Sequence, residues 1–378
     1  MKVSVLSFDL SDNATGRADL LARLLAPRYE VEVVGPRFGP DLWAPARGGA
    51  IAHRALPAEG ERYPRFAGRL RPLADLADGD LIVASKPRAT SFGVALLARA
   101  RRRRPLLLDI DDWEVGFFLR GGAWGSAGRA LNLGNPNGLP WTWLMERLVR
   151  RADALTVASR FLAGRFGGTL IPHVRDTEAW APERFDRAAS RAALGVGDAR
   201  VVMFLGTPRG HKGVEDLVEA VGLIGGDTRL VLVGTEPSSA AGRRWAERPW
   251  VRLVGEIPFD DVPRYLVAAD VVAVPQRATP DTLGQVPAKL FDAMALARPI
   301  VSTSVSMIPE ILEGCGLIAP PGDVAALAKM LAALLDDPER AAEIGRRARE
   351  RCEAHYSFTA ARAALFPLVE SLLAARRA

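Results

Sequence analysis

VVMFLGTPRGHKGVEDLVEAVGLI, residues 201–224, contains one complete structural unit. Val201–Leu205 run without a polar break, which predicts a strand buried on both faces. Gly206–Gly213 follow, with three glycines, Arg209, His211 and Lys212. From Gly213 to Ile224 apolar residues recur at helical spacing. Strand, glycine-rich basic loop and helix form the first part of a βαβ crossover, the unit from which helix-covered parallel sheets are built.

The alternation continues in both directions. On the C-terminal side Leu230–Val233, Val251–Val254, Val271–Val274, Ile300–Ser302 and Leu317–Ile318 read as strands. Asp260–Ala268, Ala288–Ala295 and Val324–Leu335 read as helices. On the N-terminal side the strands are Val3–Phe8, Val31–Val34, Leu81–Ala84, Leu106–Leu108, Ala154–Ala158 and Thr169–Ile171. Amphipathic segments such as Arg17–Leu25 and Phe92–Ala100 lie between them. Between the two series, Arg175–Gly197 is polar, contains proline and offers no strand. The 378 residues are enough for two domains at roughly 150 residues each. The sequence thus predicts two doubly wound α/β domains, 1–175 and 176–358, and a helical tail from Pro338.

Hydrophobic residues make up 49% and charged residues 25%, which excludes a disordered, collagenous or coiled-coil chain. No uninterrupted apolar run reaches the roughly 18 residues of a membrane span. Met1–Phe8 meets Asp9 too soon for a secretory leader and reads as a first strand. Cys315 and Cys352 are the only cysteines, so a reducing cytoplasm is expected. Charge is uneven: residues 1–175 hold 26 Lys and Arg against 17 Asp and Glu, and residues 176–378 hold 24 against 27. The basic half predicts an anionic partner. Arg101–Arg104 read either as a helix C-terminus favoured by its dipole or as a patch for the inner membrane face or an acidic acceptor. Nucleic acid is not expected, because the basic residues are not interleaved with aromatics and no recognised motif appears. Gly121–Gly138, rich in Gly and Asn, reads as a loop at a site or as a long surface connection.

Ligands of doubly wound sheets bind beyond the carboxyl ends of the strands, so four loops carry the functional reading. Asp12–Arg17 precedes a helix that Asn13 or Thr15 would cap, and Gly16 permits close backbone approach. Gly206–Gly213, with Arg209 and Lys212, reads as a phosphate cradle or as a basic turn; its spacing is not that of a Walker loop. Gly284–Met294 places Pro287 in a first helical turn, Lys289 toward a phosphate and Asp292 one turn on. Lys289 and Asp292 read either as phosphate and ribose ligands or as an i,i+3 ion pair. Asp109-Ile110-Asp111-Asp112-Trp113-Glu114 concentrates carboxylates at a strand end, for a divalent metal, acid/base work or sugar hydroxyls. The histidines are scattered, and no histidine or cysteine metal cluster is expected.

Four stretches, VMFLGTPRGHKGVEDLVEA (202–220), VRLVGEIPFDDVPRYLVAADVVAVP (251–275), PAKLFDAMALARPIV (287–301) and IPEILEGCGLIAPPGD (308–323), resemble in order and spacing the retaining GT-B glycosyltransferases of family 4. ADALTVASRFL (152–162) and LIPHVRDTEAWAP (170–182) match that family's lead into the linker. The resemblance implies two Rossmann-like domains facing a cleft, with a final helix over about 359–378 crossing back to the first. It implies sugar transfer from a nucleotide-sugar to a lipid-linked, glycan or small-molecule acceptor, with retained configuration and without metal or cofactor. Closure about the linker would exclude water. Lys212 falls on the family's diphosphate lysine, Asp292 on its ribose carboxylate, and Gly16 in its glycine loop. Glu256 and Ile257 fall where its backbone meets the base, and Arg209 and Lys289 add phosphate contacts.

The chain departs from that pattern. Thr207 replaces an arginine, and Arg209 stands two residues on. Gly284 replaces the first glutamate, leaving Asp281 or Gln285 for the sugar. Asp111-Asp112 replaces a His-Asp pair, and these two aspartates become the catalytic candidates beside Lys212. Other readings remain: a metal-dependent transferase using Asp109 and Asp111, a sugar-nucleotide epimerase, or a non-catalytic binding subunit.

Overall fold

A computed structural model describes residues 1–119 and 128–375. The chain divides into two compact units, Met1–Pro172 with Ala361–Ala378, and His173–Ala360. Residues 121–127 of the Gly/Asn-rich segment lie outside the described residues.

The first unit holds seven parallel strands: β1 (Lys2–Leu6), β2 (Glu30–Arg37), β3 (Ala52–Pro57), β4 (Leu81–Ser85), β5 (Leu106–Ile110), β6 (Ala154–Val157) and β7 (Thr169–Leu170). Their order is β3-β2-β1-β4-β5-β6-β7. Val3 pairs with Val31 on one side and Leu81 on the other. β1, β4 and β5 are covered on both faces, which explains their unbroken apolar runs. Strand β3 is not foreseen from sequence. It sits at the sheet edge with half its residues exposed, so AHRALP carries no continuous apolar signal.

The second unit holds six parallel strands: β8 (Val201–Leu205), β9 (Arg229–Val233), β10 (Val251–Val254), β11 (Val271–Val274), β12 (Ile300–Thr303) and β13 (Leu317–Ala319). Their order is β10-β9-β8-β11-β12-β13. Phe204, Leu217, Leu232, Val301 and Leu331 are among its buried core. The segment Arg175–Gly197 carries a helix, Arg187–Leu194, capped by Asp186 and not anticipated. The helix expected over Asp260–Ala268 is shorter, a 3-10 turn at Phe259–Asp261 and then Val262–Leu266.

Both sheets reverse direction once, between β1 and β4 and between β8 and β11. Each reversal opens a crevice at the strands' carboxyl ends, where loops on either side diverge. The residues following these four strands are therefore the ones placed to meet a ligand.

The final helix, Phe358–Ala375, is long and apolar enough by length and composition to cross a membrane. Arg362 and Glu370 are its two charged residues. Arg362 donates to the carbonyls of Arg23 and Leu24 at 3.1 Å, and Glu370 pairs with Arg28. Leu365, Val369 and Leu373 are buried, so this stretch behaves as a packed surface helix of the first unit. In the arginine run, Arg101 pairs with Asp75 at 3.3 Å and Arg104 donates to the Ala77 carbonyl at 2.8 Å. Two of those four charges thus engage the C-terminal end of the neighbouring helix Ala67–Leu76.

Candidate active site

In the second unit, β8 ends at Leu205 and the chain turns through Gly206 at φ +117°. A side chain is unfavourable at that angle, and space forbids one too. A methyl group on Gly206 would lie 3.0 Å from Lys289 Nζ and 3.8 Å from Lys212 Nζ. Two ammonium groups from different loops therefore converge on one glycine backbone. Lys212 donates to the Thr207 carbonyl at 2.8 Å. The Lys289 ammonium is buried, lies 4.1 Å from the centre of the Phe204 ring, and has no hydrogen-bonded partner among the described residues. Burial, and then Arg209, lowers Lys212 to about 8. Burial, and then the charge of Lys212, holds Lys289 well below the usual lysine range. Arg209 itself is exposed.

Backbone geometry adds to this positive pole. Gly213 adopts φ +61°, and a Cβ there would stand 1.8 Å from the Pro275 carbonyl oxygen. The helix Val214–Ile224 starts behind it without a side-chain cap. The helix Ala288–Ala295 also starts uncapped, with Pro287 just before it rather than in its first turn. Elsewhere Ser159, Asp186, Ser239, Asp323 and Asp337 each cap a helix through the side chain, while the helices beginning at Ala67, Val94, Leu139, Val262 and Ile308 have no such cap. Unfilled N–H groups are thus left at the crevice between β8 and β11.

Asp292 does not form the i,i+3 ion pair with Lys289. Its carboxylate is buried and pairs with Arg175, not with Lys289. Arg175 also lies between the Trp180 and Phe259 rings, at 5.6 and 5.4 Å. Asp281 is fully buried and faces His211 Nδ1 at 3.7 Å, so it braces the loop and is not open to a sugar. Gln285 accepts from Gln276 at 3.4 Å. The Glu256 N–H donates to the Glu236 carboxylate at 2.9 Å, and Ile257 follows half-buried. Arg175 and Glu236 are contacts that sequence reasoning missed.

In the first unit, the helix Thr15–Leu25 follows β1 behind Ala14, and neither Asn13 nor Thr15 caps it. Thr15 Oγ1 turns back to the Asp9 carbonyl at 3.1 Å. Gly16 lies in the first turn, where a Cβ would stand 3.2 Å from the Trp43 ring. Arg17 and Asp109 form a buried bidentate pair at 2.8 Å, and Thr156 Oγ1 donates to Asp109 at 2.7 Å. Asp109 is thereby committed to the interior.

The remaining acids surround Lys86, which follows β4 at φ +70°. Its ammonium lies 2.9 Å from Asp111, 2.7 Å from Asp112 and 2.9 Å from Glu114. Arg88 Nε donates to Glu114 at 2.7 Å. Burial pushes the Asp112 carboxyl up to about 6, opposed by Lys86 and assisted by Asp111 and Glu114. Asp111, Asp112 and Glu114 are close enough together to share a cation. Lys86 already fills that position, and Asp109 is turned to Arg17, so the Asp109/Asp111 metal pair does not form. Lys86 was not singled out from sequence. The chain has only five lysines, and one of them directly after the end of β4 was the available signal.

The residues around these two crevices match known families. Residues 14–177 match the model described as Glycosyl transferase 4-like domain, and residues 199–337 match Glycosyl transferases group 1. A GDP-mannose-dependent alpha-(1-6)-phosphatidylinositol monomannoside mannosyltransferase of Mycolicibacterium smegmatis is 30% identical over 53% of this chain and 58% of its own length. A D-inositol 3-phosphate glycosyltransferase of Saccharomonospora viridis is 32% identical over 61% of this chain and 54% of its own. The chain thus spans little more than half the length of these relatives. Sucrose-phosphate synthase from Thermosynechococcus elongatus superposes with a TM-score of 0.77 at 20% identity, over 99% of this chain and 100% of that one. Anabaena HepE, solved with UDP-glucose, gives 0.74 at 20% identity, over 98% and 100%. The fold is GT-B, and with both halves matched in order the chain belongs to the group 1 glycosyltransferases.

Proposed function

We propose that this protein transfers a sugar from a nucleoside diphosphate sugar to an acceptor hydroxyl, with retained configuration and without a metal. The observation that carries the reading is the pair of ammonium groups converging on Gly206, one of them buried without a hydrogen-bonded partner among the described residues. A buried, unpaired cation costs stability, and an arriving diphosphate would neutralise it. The named activities of the matched relatives support the same chemistry. In the reaction the bond from the anomeric carbon to the diphosphate oxygen breaks, and the acceptor oxygen bonds to that carbon on the same face. The acceptor proton leaves to the departing phosphate. Positive charge grows on the sugar and negative charge on the diphosphate, so fixed cations stabilise the transition state more than the ground state. Lys212, Lys289, Arg209 and the uncapped helix starts supply that field. Asp111 and Asp112, held by Lys86, would orient a hydroxyl of acceptor or donor. The acceptor is lipid-linked, a glycan or a small molecule, and the reaction is placed in the cytoplasm.

The test is thermal stability with UDP, GDP, ADP, dTDP and CDP, each with Mg²⁺ or with a chelator. One nucleotide is expected to raise the Tm equally in both conditions. A shift seen only with Mg²⁺ would move the chemistry to a metal, and no shift with any nucleotide would favour the non-catalytic reading.

Titration of the lysines gives a second expectation. Below about pH 8 Lys212 is already charged in the free protein; above it, binding a diphosphate must draw in a proton. Nucleotide affinity is therefore expected to weaken as pH rises past about 8, by up to about tenfold per unit for each proton taken up. Calorimetry in buffers of different ionisation enthalpy, between about pH 8 and 9, reads that uptake directly. Binding without proton uptake would remove Lys212 from the diphosphate site.

A further inference from the structure

Among the described residues nine large apolar side chains are exposed, and five of them fall between residues 119 and 144 of the first unit. Scattered exposed leucines are ordinary, but a cluster marks a surface with a partner. The helix Leu139–Arg147 explains the cluster. Its inner face buries Thr142 and Met145. Its outer face presents Trp143 and Leu144, 48% and 37% exposed, followed by Arg147 and then Arg150 and Arg151. Leu131 and Leu133 stand in the preceding loop, 82% and 58% exposed. That loop is anchored to the helix, because the Trp141 indole donates to the Leu133 carbonyl at 2.9 Å.

The charge on this face has one sign. Glu146, the only acid in the helix, is turned inward, accepting the Val115 N–H at 3.0 Å. Arg147 lies over the Trp143 ring at 4.0 Å, and no ion pair engages Arg147, Arg150 or Arg151 among the described residues. Indole and leucine beside unpaired guanidinium groups, with no outward carboxylate, match the layered chemistry of a bilayer interface. Phosphate lies outermost, an aromatic level below it, and acyl chains beneath.

We propose that the outer face of Leu139–Arg147, with Leu131 and Leu133 beside it, docks on an anionic lipid surface. This face is distinct from the Arg101–Arg104 run, half of which is engaged within the fold. The docking does not depend on the proposed transfer reaction and is read without nucleotide. The guanidinium groups give attraction at a distance, about fivefold in affinity per arginine. Trp143 and Leu144 give insertion, which salt does not screen.

The experiment is co-sedimentation of the full chain with vesicles of phosphatidylcholine alone and with about one third phosphatidylglycerol. The unaltered protein is expected to bind the anionic vesicles and to be partly released by salt. The triple variant Arg147→Gln, Arg150→Gln, Arg151→Gln is expected to bind about 10²-fold more weakly. The double variant Trp143→Ser, Leu144→Ser is expected to bind at least tenfold more weakly and to be released fully by salt. Leu223→Ser, at an exposed leucine of the second unit, serves as control and should bind like the unaltered protein. Equal sedimentation of all variants, or none by the unaltered protein, would overturn the proposal. So would concentration-dependent self-association lost in the Trp143/Leu144 variant without vesicle binding, which would make the face an interface between copies.

Discussion

Lys289→Met is expected to stabilise the free protein and slow turnover by about 10²-fold or more. Both effects come from one atom. The Lys289 ammonium is buried without a hydrogen-bonded partner among the described residues, relieved by the Phe204 ring and by the charge of Asp292. Leaving a buried polar group unsatisfied costs about 1–3 kcal/mol. Methionine keeps the apolar stem and removes the charge, so the free protein should gain on that order, a Tm rise of roughly 2–10 °C. With donor bound the sign reverses, because the ammonium then faces developing negative charge in a site that excludes water. Lys212→Ala is expected to cost a similar 10²-fold in turnover. Its stability gain should be smaller, because its Nζ already donates to the Thr207 carbonyl. The double variant should lose less than the product of the two, since both groups serve one charge. Melting curves with and without the preferred nucleotide, beside steady-state kinetics, read all of this. A Lys289→Met protein that melts lower and turns over normally would end the assignment.

Asp109→Ala is expected to destabilise the first unit by about 3–5 kcal/mol. The Asp109 side chain is fully buried and that of Arg17 nearly so. Arg17 also donates to the carbonyls of Ile171 at 2.8 Å and Pro172 at 3.1 Å. The pair thus joins the first helix, strand β5 and the end of β7. Removing the carboxylate alone strands a guanidinium that cannot shed its charge. Replacing both partners, Arg17→Met with Asp109→Leu, should cost much less, because neither charge is then left unpaired. Denaturant unfolding of the full chain, fitted with separate transitions for its units, checks the difference. A loss below about 1 kcal/mol in the single variant would show that water reaches the site.

The parallel sheets were legible because burial on both faces writes itself as unbroken apolar runs, as in Val201–Leu205 and Leu106–Leu108. β3 was illegible because an edge strand needs no such run. Lys212 and Lys289 were legible from position, one in a glycine loop and the other at a helix start. Their convergence on Gly206 was not, because it depends on β8 and β11 being neighbours, a fact of topology. The acids at Asp109–Glu114 were visible as a group, but their division was not. Strand β5 ends at Ile110, so Asp109 lies within the strand and the other three follow it. Asp109 turns inward to Arg17, while Asp111, Asp112 and Glu114 close around Lys86. Arg175 was hidden for another reason: its partner, Asp292, lies 117 positions away.

The pattern of helix caps has a bearing on how this protein could change over generations. Five helices start behind a serine or aspartate that binds their first N–H groups, whereas those beginning at Thr15, Val214 and Ala288 do not. A serine or aspartate at 287, just before the helix beginning at Ala288, would add about 1 kcal/mol, a gain open to a single substitution. At the Val214 start that gain is closed, because Gly213 has no room for a side chain. Selection for heat resistance alone would drift toward the cap at 287 and toward a neutral residue at 289. Lineages kept under demand for sugar transfer would hold both positions as they are. The heat-selected descendants would stay folded and go silent, and the two positions a thermostability screen enriches would mark one edge of the donor.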